Sequence, residues 1–224
     1  MAGYTYATFV TALEVETNIP LTGVDANAGF VAILPTIIDQ AEQQIYRELD
    51  LLATIVRDTS GTTTANTRNF TLPSAFGRFV VLESVNIISG DQRYPLVKIS
   101  REVMDNIWPS DAGNDSLPAK WAPVTDQVIM FGPAPSAVLT VECIGTIRPT
   151  PLSASNTTTF LSQYLPDLFL AAAMVNASGY MRDYGAQTDD PKLATSWGQR
   201  YAELLPSAKN EEMRRKFQGF VGGA

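Results

Sequence analysis

AVLTVECIGTIRPTPLSASNTTTFLSQYLPDLFLAAAMVNASGYMR, residues 137–182, contains the change of period that decides the fold. Its first part alternates as a half-buried strand does. Leu139, Val141, Cys143 and Ile147 point one way, and Thr140, Glu142, Thr146 and Arg148 mostly point the other. Arg148-Pro149-Thr150-Pro151 is a stiff exit, and residues 153–159 (SASNTTT) form a polar linker. A helix then starts at Thr159 or Pro166 and reaches about Arg182, with Gly185 as its left-handed cap. Ala171, Ala172, Ala173, Ala177, Ser178 and Gly179 crowd its middle, so another helix can approach closely.

Helical signals also occupy both ends of the chain. Residues 4–16 read as a short amphipathic helix on Phe9, Leu13 and Tyr6, ended by Asn18, Pro20 and Gly23. A second helix runs from about Asn27 or Leu34 to Leu49. Phe30, Ile33, Leu34, Ile37, Ile38, Ala41, Ile45 and Leu49 form its stripe at three- and four-residue spacing, and Pro35 either starts its regular part or kinks it. Near the other end, Asp190-Pro191 is a cap followed by proline at the first helical position. Leu193, Trp197, Tyr201, Leu204, Leu205 and Ala208 then form the stripe of a last long helix.

Between these ends the pattern is β. Residues 51–58, 68–72, 79–88, 93–99, 127–131 and 137–147 read as six strands, with residues 58–67 (DTSGTTTANT) as a polar loop and Gly90-Asp91 closing a hairpin. Ser100 caps a short helix whose Val103, Met104, Ile107 and Trp108 are expected to face inward before Pro109 stops it. The expected fold class is therefore α+β. An antiparallel helical bundle of the N- and C-terminal helices (residues 1–50 and 151–224) carries an inserted antiparallel β-sandwich or barrel-like module (residues 51–150).

Composition excludes much chemistry. The 224 residues contain no histidine and a single cysteine, Cys143. That removes Ser-His-Asp and Cys-His nucleophiles, the usual zinc ligands and any internal disulfide. Cys143 on the apolar face of a strand reads as a small buried hydrophobe. Asp183, Asp189 and Asp190 are explained by a cap and a solvated turn, and Glu42, Glu48 and Asp50 by a solvated helix face. Residues 132–135 (GPAP) lack the lysine and following helix of a phosphate loop. No catalytic residue, cofactor or metal is expected.

Charged residues make up 17%, with 16 Lys+Arg against 23 Asp+Glu and a formal net charge of −7. A nucleic-acid-binding module needs clustered cations to displace counterions, so the charge is wrong for one. MAGYTYATFV lacks the basic and apolar regions of a signal peptide, and no long apolar run suggests a membrane span. The expected place of synthesis is a cytoplasm. Few charges on an apolar framework suggest a surface that neighbouring subunits cover.

One string stands out at the C-terminus. Met213-Arg214-Arg215-Lys216-Phe217, with Phe220 after it, sets three cations beside aromatics where the helical stripe has run out near Ala208. It is either a frayed end or a docking tail, since Arg and Phe are favoured interface anchors. On the second reading the segment has little to hold it to its own subunit and orders only against a partner.

Three stretches carry a family resemblance: LPTIIDQAEQQIYRELDLLAT (34–54), GPAP with GTIRPTPLSASNTTTFL (145–161), and LPDLFLAAAMVNASGYMRDYGAQTDDPKLATSWGQRYAELL (165–205). Together they resemble the head-to-tail adaptor proteins of tailed phages, including the tubular tail protein A type. The resemblance implies a structural virion protein at the head–tail interface, assembled in the host cytoplasm as a ring of twelve copies. Its implied partners are further copies of itself, the portal protein, downstream tail nozzle, tube or fibre proteins, and genomic DNA that passes without sequence-specific binding. Docking on the portal would fall to Arg214, Arg215, Lys216, Phe217 and Phe220. Other virion parts, such as a tail-tube, tail-completion or head-completion subunit, share these features. An acidic or neutral wall would suit a DNA channel, with Asp111, Asp115, Asp189 and Asp190 as loop candidates.

Overall fold

The computed structural model describes residues 3–110, 116–181 and 191–217. It is a mixed α+β structure. Among the described residues the helices are α1 (Tyr6–Thr17), α2 (Ala28–Glu48), α3 (Arg101–Ile107), α4 (Phe160–Tyr164), α5 (Pro166–Met181) and α6 (Pro191–Phe217). The strands are β1 (Ile55–Thr62), β2 (Asn69–Thr71), β3 (Arg78–Ser89), β4 (Gln92–Pro95), β5 (Val97–Lys98), β6 (Lys120–Pro123), β7 (Val128–Gly132) and β8 (Thr140–Arg148). The chain divides into two compact units, Met1–Leu52 with Thr150–Ala224, and Ala53–Pro149.

In the first unit, side-chain caps start α1, α2 and α4. Thr5 accepts from the Thr8 backbone N–H, Asn27 from that of Phe30, and Thr159 from that of Ser162, so each side chain satisfies a donor with no partner inside its helix. Pro35 lies inside α2, because the helix already begins behind Asn27. Thr159 and Pro166 each open a helix, so the single helix expected here is divided at Leu165. Gly185 and Asp190 fall outside the described residues.

The stripes converge on one apolar cluster containing Phe9 and Leu13 of α1, Phe30, Ile38 and Ile45 of α2, Leu161 of α4, Phe169 and Ala173 of α5, and Trp197 and Tyr201 of α6. Ile33, expected on the α2 stripe, is exposed instead, because helical rotation places it at the edge of that face. Phe9 and Phe169 stack with ring centroids 4.3 Å apart and planes 11° from parallel. Ala171, Ala172, Ala173 and Ala177 are all fully buried, and bulky residues from other helices fill the space beside them. Gly3 is needed where the N-terminal segment runs against α4: a Cβ there would stand 2.4 Å from the Gln163 Cα. The segment is held by Tyr4 N–H donating to the Ser162 carbonyl at 2.7 Å.

Glu42 corrects the expectation of a solvated carboxylate. It is buried on α2 beside Ile38 and Ile45, where its Oε1 accepts from the Leu152 N–H at 3.3 Å and the Thr159 hydroxyl at 3.2 Å. Position 42 is four residues past Ile38 and three before Ile45, so helical geometry places it on the apolar stripe. Burial pushes its carboxyl up to about 7, helped by nearby Asp39 and opposed by the two hydrogen bonds.

The second unit holds two four-stranded sheets, ordered β1-β8-β3-β4 and β2-β7-β6-β5. All pairings are antiparallel except β5 with β6, which is parallel and departs from the all-antiparallel expectation. Phe79, Val85, Ile87, Val141, Cys143 and Ile147 of the first sheet share one apolar cluster with Phe70, Trp121, Ile129 and Phe131 of the second.

Four local expectations need correction here. The 93–99 strand breaks at Leu96, whose N–H donates to the Val85 carbonyl, so β4 stays in the first sheet and β5 joins the second. β6 was not foreseen, because KWAP is short and ends in proline. β1 begins after a short 3-10 turn, Leu52–Thr54, and continues to Thr62, taking in half of the expected polar loop. On α3 only Met104 is buried, whereas Val103 and Ile107 are exposed, since a seven-residue helix turns a single narrow face inward. Residues 111–115 lie outside the described residues.

Candidate docking surface

α6 does not fray at Ala208. It continues to Phe217, and Glu212, one turn past Ala208, is buried on the same face, where its Oε2 accepts the Leu52 backbone N–H at 3.1 Å. Arg215 pairs with Glu212 and lies over the Phe160 ring, 4.8 Å from its centroid. Lys216 pairs with Asp50 just beyond α2. The expectation that this segment has little to hold it to its own subunit is therefore corrected. A polar residue at position 212 hid the continuing buried face, because a carboxylate that receives a backbone N–H can occupy it.

What α6 leaves outward is distinct. Met213 and Phe217, one turn apart on the same side of the helix, are 52% and 63% exposed, and Arg214 between them is exposed as well. Beside them opens a cleft of about 320 Å³, lined by Glu48, Leu49 and Asp50 from the end of α2 and Lys209, Glu212, Met213 and Lys216 of α6. On another side of α6, Phe160 stacks on the exposed ring of Tyr164 at 4.9 Å, which extends the Arg215–Phe160 contact into a surface ladder. Of the five residues expected to dock, Arg214 and Phe217 are presented outward. Arg215 and Lys216 are spent largely within the subunit, and Phe220 lies outside the described residues. Met213, Asp50 and Tyr164 were not among the residues expected to dock. Met213 had a signal, its four-residue spacing from Phe217.

The second unit carries a polar cluster of its own. Glu142 on β8 is fully buried beneath Arg57 of β1 and Arg93 of β4, both paired with it, and it accepts from the Asn86 side-chain amide at 2.9 Å. Its desolvation is outweighed by the two guanidinium groups, which hold its carboxyl below the ordinary 4.5. A depressed carboxyl stabilises the fold above its unfolded value, and that contribution disappears as pH falls through the lower folded value. Glu142→Gln should therefore cost about 1–3 kcal/mol at neutral pH, with the difference from wild type vanishing in acid. Urea unfolding across pH checks this, and an unchanged neutral midpoint would refute it.

Cys143 is buried, and desolvation with the nearby Asp58 and Glu142 charges pushes its thiol up to about 12. Among the described residues no group of three His, Cys, Asp or Glu side chains could hold a metal ion. No described helix is long and apolar enough to cross a membrane.

The chain thus has two compact units and displays apolar and cationic side chains at the end of α6. The family model of the SU10 adaptor protein matches residues 4–221, nearly the whole chain, and the chain belongs to that family. It is thus a structural adaptor of a phage virion. Comparison with curated proteins gives no match.

Proposed function

We propose that the chain is the head-to-tail adaptor of its virion, with twelve copies forming a ring between portal and tail that extends the DNA channel for genome retention and ejection. In this reading the helical unit is a bundle (residues 1–50 and 151–224), and the two sheets form an inserted sandwich (residues 51–150). The protein acts without catalysis, cofactor or membrane, and assembles in the host cytoplasm. The channel wall is neutral or acidic, so that phosphates slide past it. The loop carboxylates Asp111, Asp115, Asp189 and Asp190 named for that wall lie outside the described residues.

The observation that carries the docking part is the outward pair Met213 and Phe217 with Arg214 between them, at the end of a helix anchored by Glu212. An anchored helix loses less conformational freedom on binding than a loose tail, so fewer contacts per copy suffice, and repetition around a ring multiplies them. Deleting residues 209–224 would also remove Glu212, so point changes isolate docking better. Met213→Asp with Phe217→Asp should leave the melting temperature nearly unchanged, because both side chains are exposed. The same pair should lower occupancy on purified portals about a hundredfold, which corresponds to two anchors of roughly 1–2 kcal/mol each. Electron microscopy of portals mixed with each protein reads the result. Full rings from the double variant would remove this surface from portal docking.

A further inference from the structure

The outer face of the first sheet is arginine-rich. Along β8, Thr140, Glu142, Ile144, Thr146 and Arg148 share the side opposite the buried Val141, Cys143 and Ile147. Register brings Arg57 opposite Ile144, Arg78 opposite Arg148, and Arg93 opposite Ile88, which itself faces Thr140. Four arginines therefore lie on one face.

Two of them are built into a receptor. Arg57 and Arg93 each engage Glu142 through Nε, one at each carboxylate oxygen, and their side chains remain 63% and 52% exposed. With each guanidinium engaged by Glu142 through Nε, its other edge, carrying one N–H from each terminal nitrogen, can take an external anion in the fork geometry that matches a carboxylate. Glu142 neutralises only one of the two charges. The cluster is pre-organised and net cationic on a surface where Val80 and Val81 are also exposed.

A closed ring needs two different patches per subunit, each complementary to the other. In residues 1–52 and 150–224, Asp and Glu outnumber Lys and Arg by 14 to 8, whereas in residues 53–149 the balance is 9 to 8. The first unit also exposes Val15 and Val24, which adjoin the exposed carboxylates Glu16 and Asp25 at the end of α1 and in the loop after it. That is the counterpart in kind: exposed carboxylates with exposed valines next to them in sequence, against guanidiniums on a sheet that also exposes valines. Two paired arginines in a chain of net charge −7 are poor equipment for a DNA backbone, which rewards many clustered cations.

We propose that Arg57 and Arg93 receive Glu16 and Asp25 of a second copy of this chain, forming the lateral contact of the ring; the inference rests on the ring reading above. The test compares the full-length chain with two variants, alone by sedimentation and on purified portals by microscopy. Arg57→Gln with Arg93→Gln and Glu142→Gln removes the receptor without stranding a buried carboxylate. Glu16→Gln with Asp25→Gln removes the ligand at two exposed positions that touch no core.

Each variant should weaken self-association about tenfold and reduce its salt dependence, and combining them should add little further loss, as expected for partners in one contact. If the receptor variant fails to fold, the exposed Glu16/Asp25 pair still reads the contact by itself. Rings from wild type and from either folded variant that form equally well would overturn this inference and leave the ring reading standing. Absence of self-association by the wild-type chain in both settings would overturn both. Loss by the receptor variant of duplex-DNA retardation alone, with self-association intact, would assign the arginines to phosphates and reject the carboxylate partner.

Discussion

Phe169→Ala should lower the stability of the protein by about 3–5 kcal/mol. Phe169 is fully buried on α5, and its ring stacks on Phe9 of α1 at 4.3 Å, so truncation removes the apolar contact and one half of an aromatic pair. The neighbours cannot collapse easily into the gap. Ala172 and Ala173, next along α5, are fully buried and too short to fill it. Since native domains are stable by only about 5–15 kcal/mol, such a loss is a large fraction of the whole. Phe169→Leu keeps most of the volume and should cost much less, about 1.5 kcal/mol or below. Urea unfolding of the two variants separates these values, and an alanine cost no larger than the leucine cost would show that the stack carries little. The consequence for assembly is direct, because α5 and α6 share the apolar cluster that holds α6 in place.

Glu42 should make stability depend on pH in the opposite sense from Glu142. Its carboxyl is raised from 4.5 to about 7 by burial, so the folded protein holds a proton there that the unfolded chain has already released. The contribution is fully present below pH 4.5, is lost as pH rises through about 7, and is flat above that. The span of the shift corresponds to roughly 3 kcal/mol as an order of magnitude. Glu42→Gln keeps an acceptor for the Leu152 N–H and the Thr159 hydroxyl and cannot ionise, so its stability should be nearly level across the same window. Subtracting the variant's urea midpoints from those of wild type isolates the effect from other carboxylates. Parallel pH profiles for the two proteins would mean that Glu42 ionises freely in the fold. Leu152 and Thr159 lie on the segment that leads into α4, so the proton on Glu42 bears on how firmly α2 holds that segment.

Local geometry was legible in the residues themselves. The stripe Phe30, Leu34, Ile38, Ala41, Ile45 placed α2, the alternation of Val141, Cys143 and Ile147 placed β8, and Ser100 and Thr159 marked helix starts. These signals follow from the 3.6- and 2-residue periods of the backbone and from donors left unpaired at helix ends, all within a few positions. In the C-terminal string Arg214 and Phe217 face outward, whereas Arg215 and Lys216 pair within the subunit.

The fate of the carboxylates depended on contacts distant in sequence. Helical spacing already places Glu42 and Glu212 on buried faces, yet polarity argues for solvent until a partner is known. Those partners are 110 residues away for Glu42 with Leu152, and 160 for Glu212 with Leu52. Glu142 was placed on the outer face by alternation alone, but its burial required Arg57 and Arg93 to arrive from two other strands. The break at Leu96, which sends β5 to a different sheet from β4, follows from an N–H bond to Val85 that no local pattern announces. The sequence by itself determined the elements and their apolar faces, because backbone period and capping act over a few residues. Only the tertiary structure decided which charges are buried and which remain available to a partner, because a buried charge is tolerated only where distant groups bring it hydrogen bonds or opposite charge.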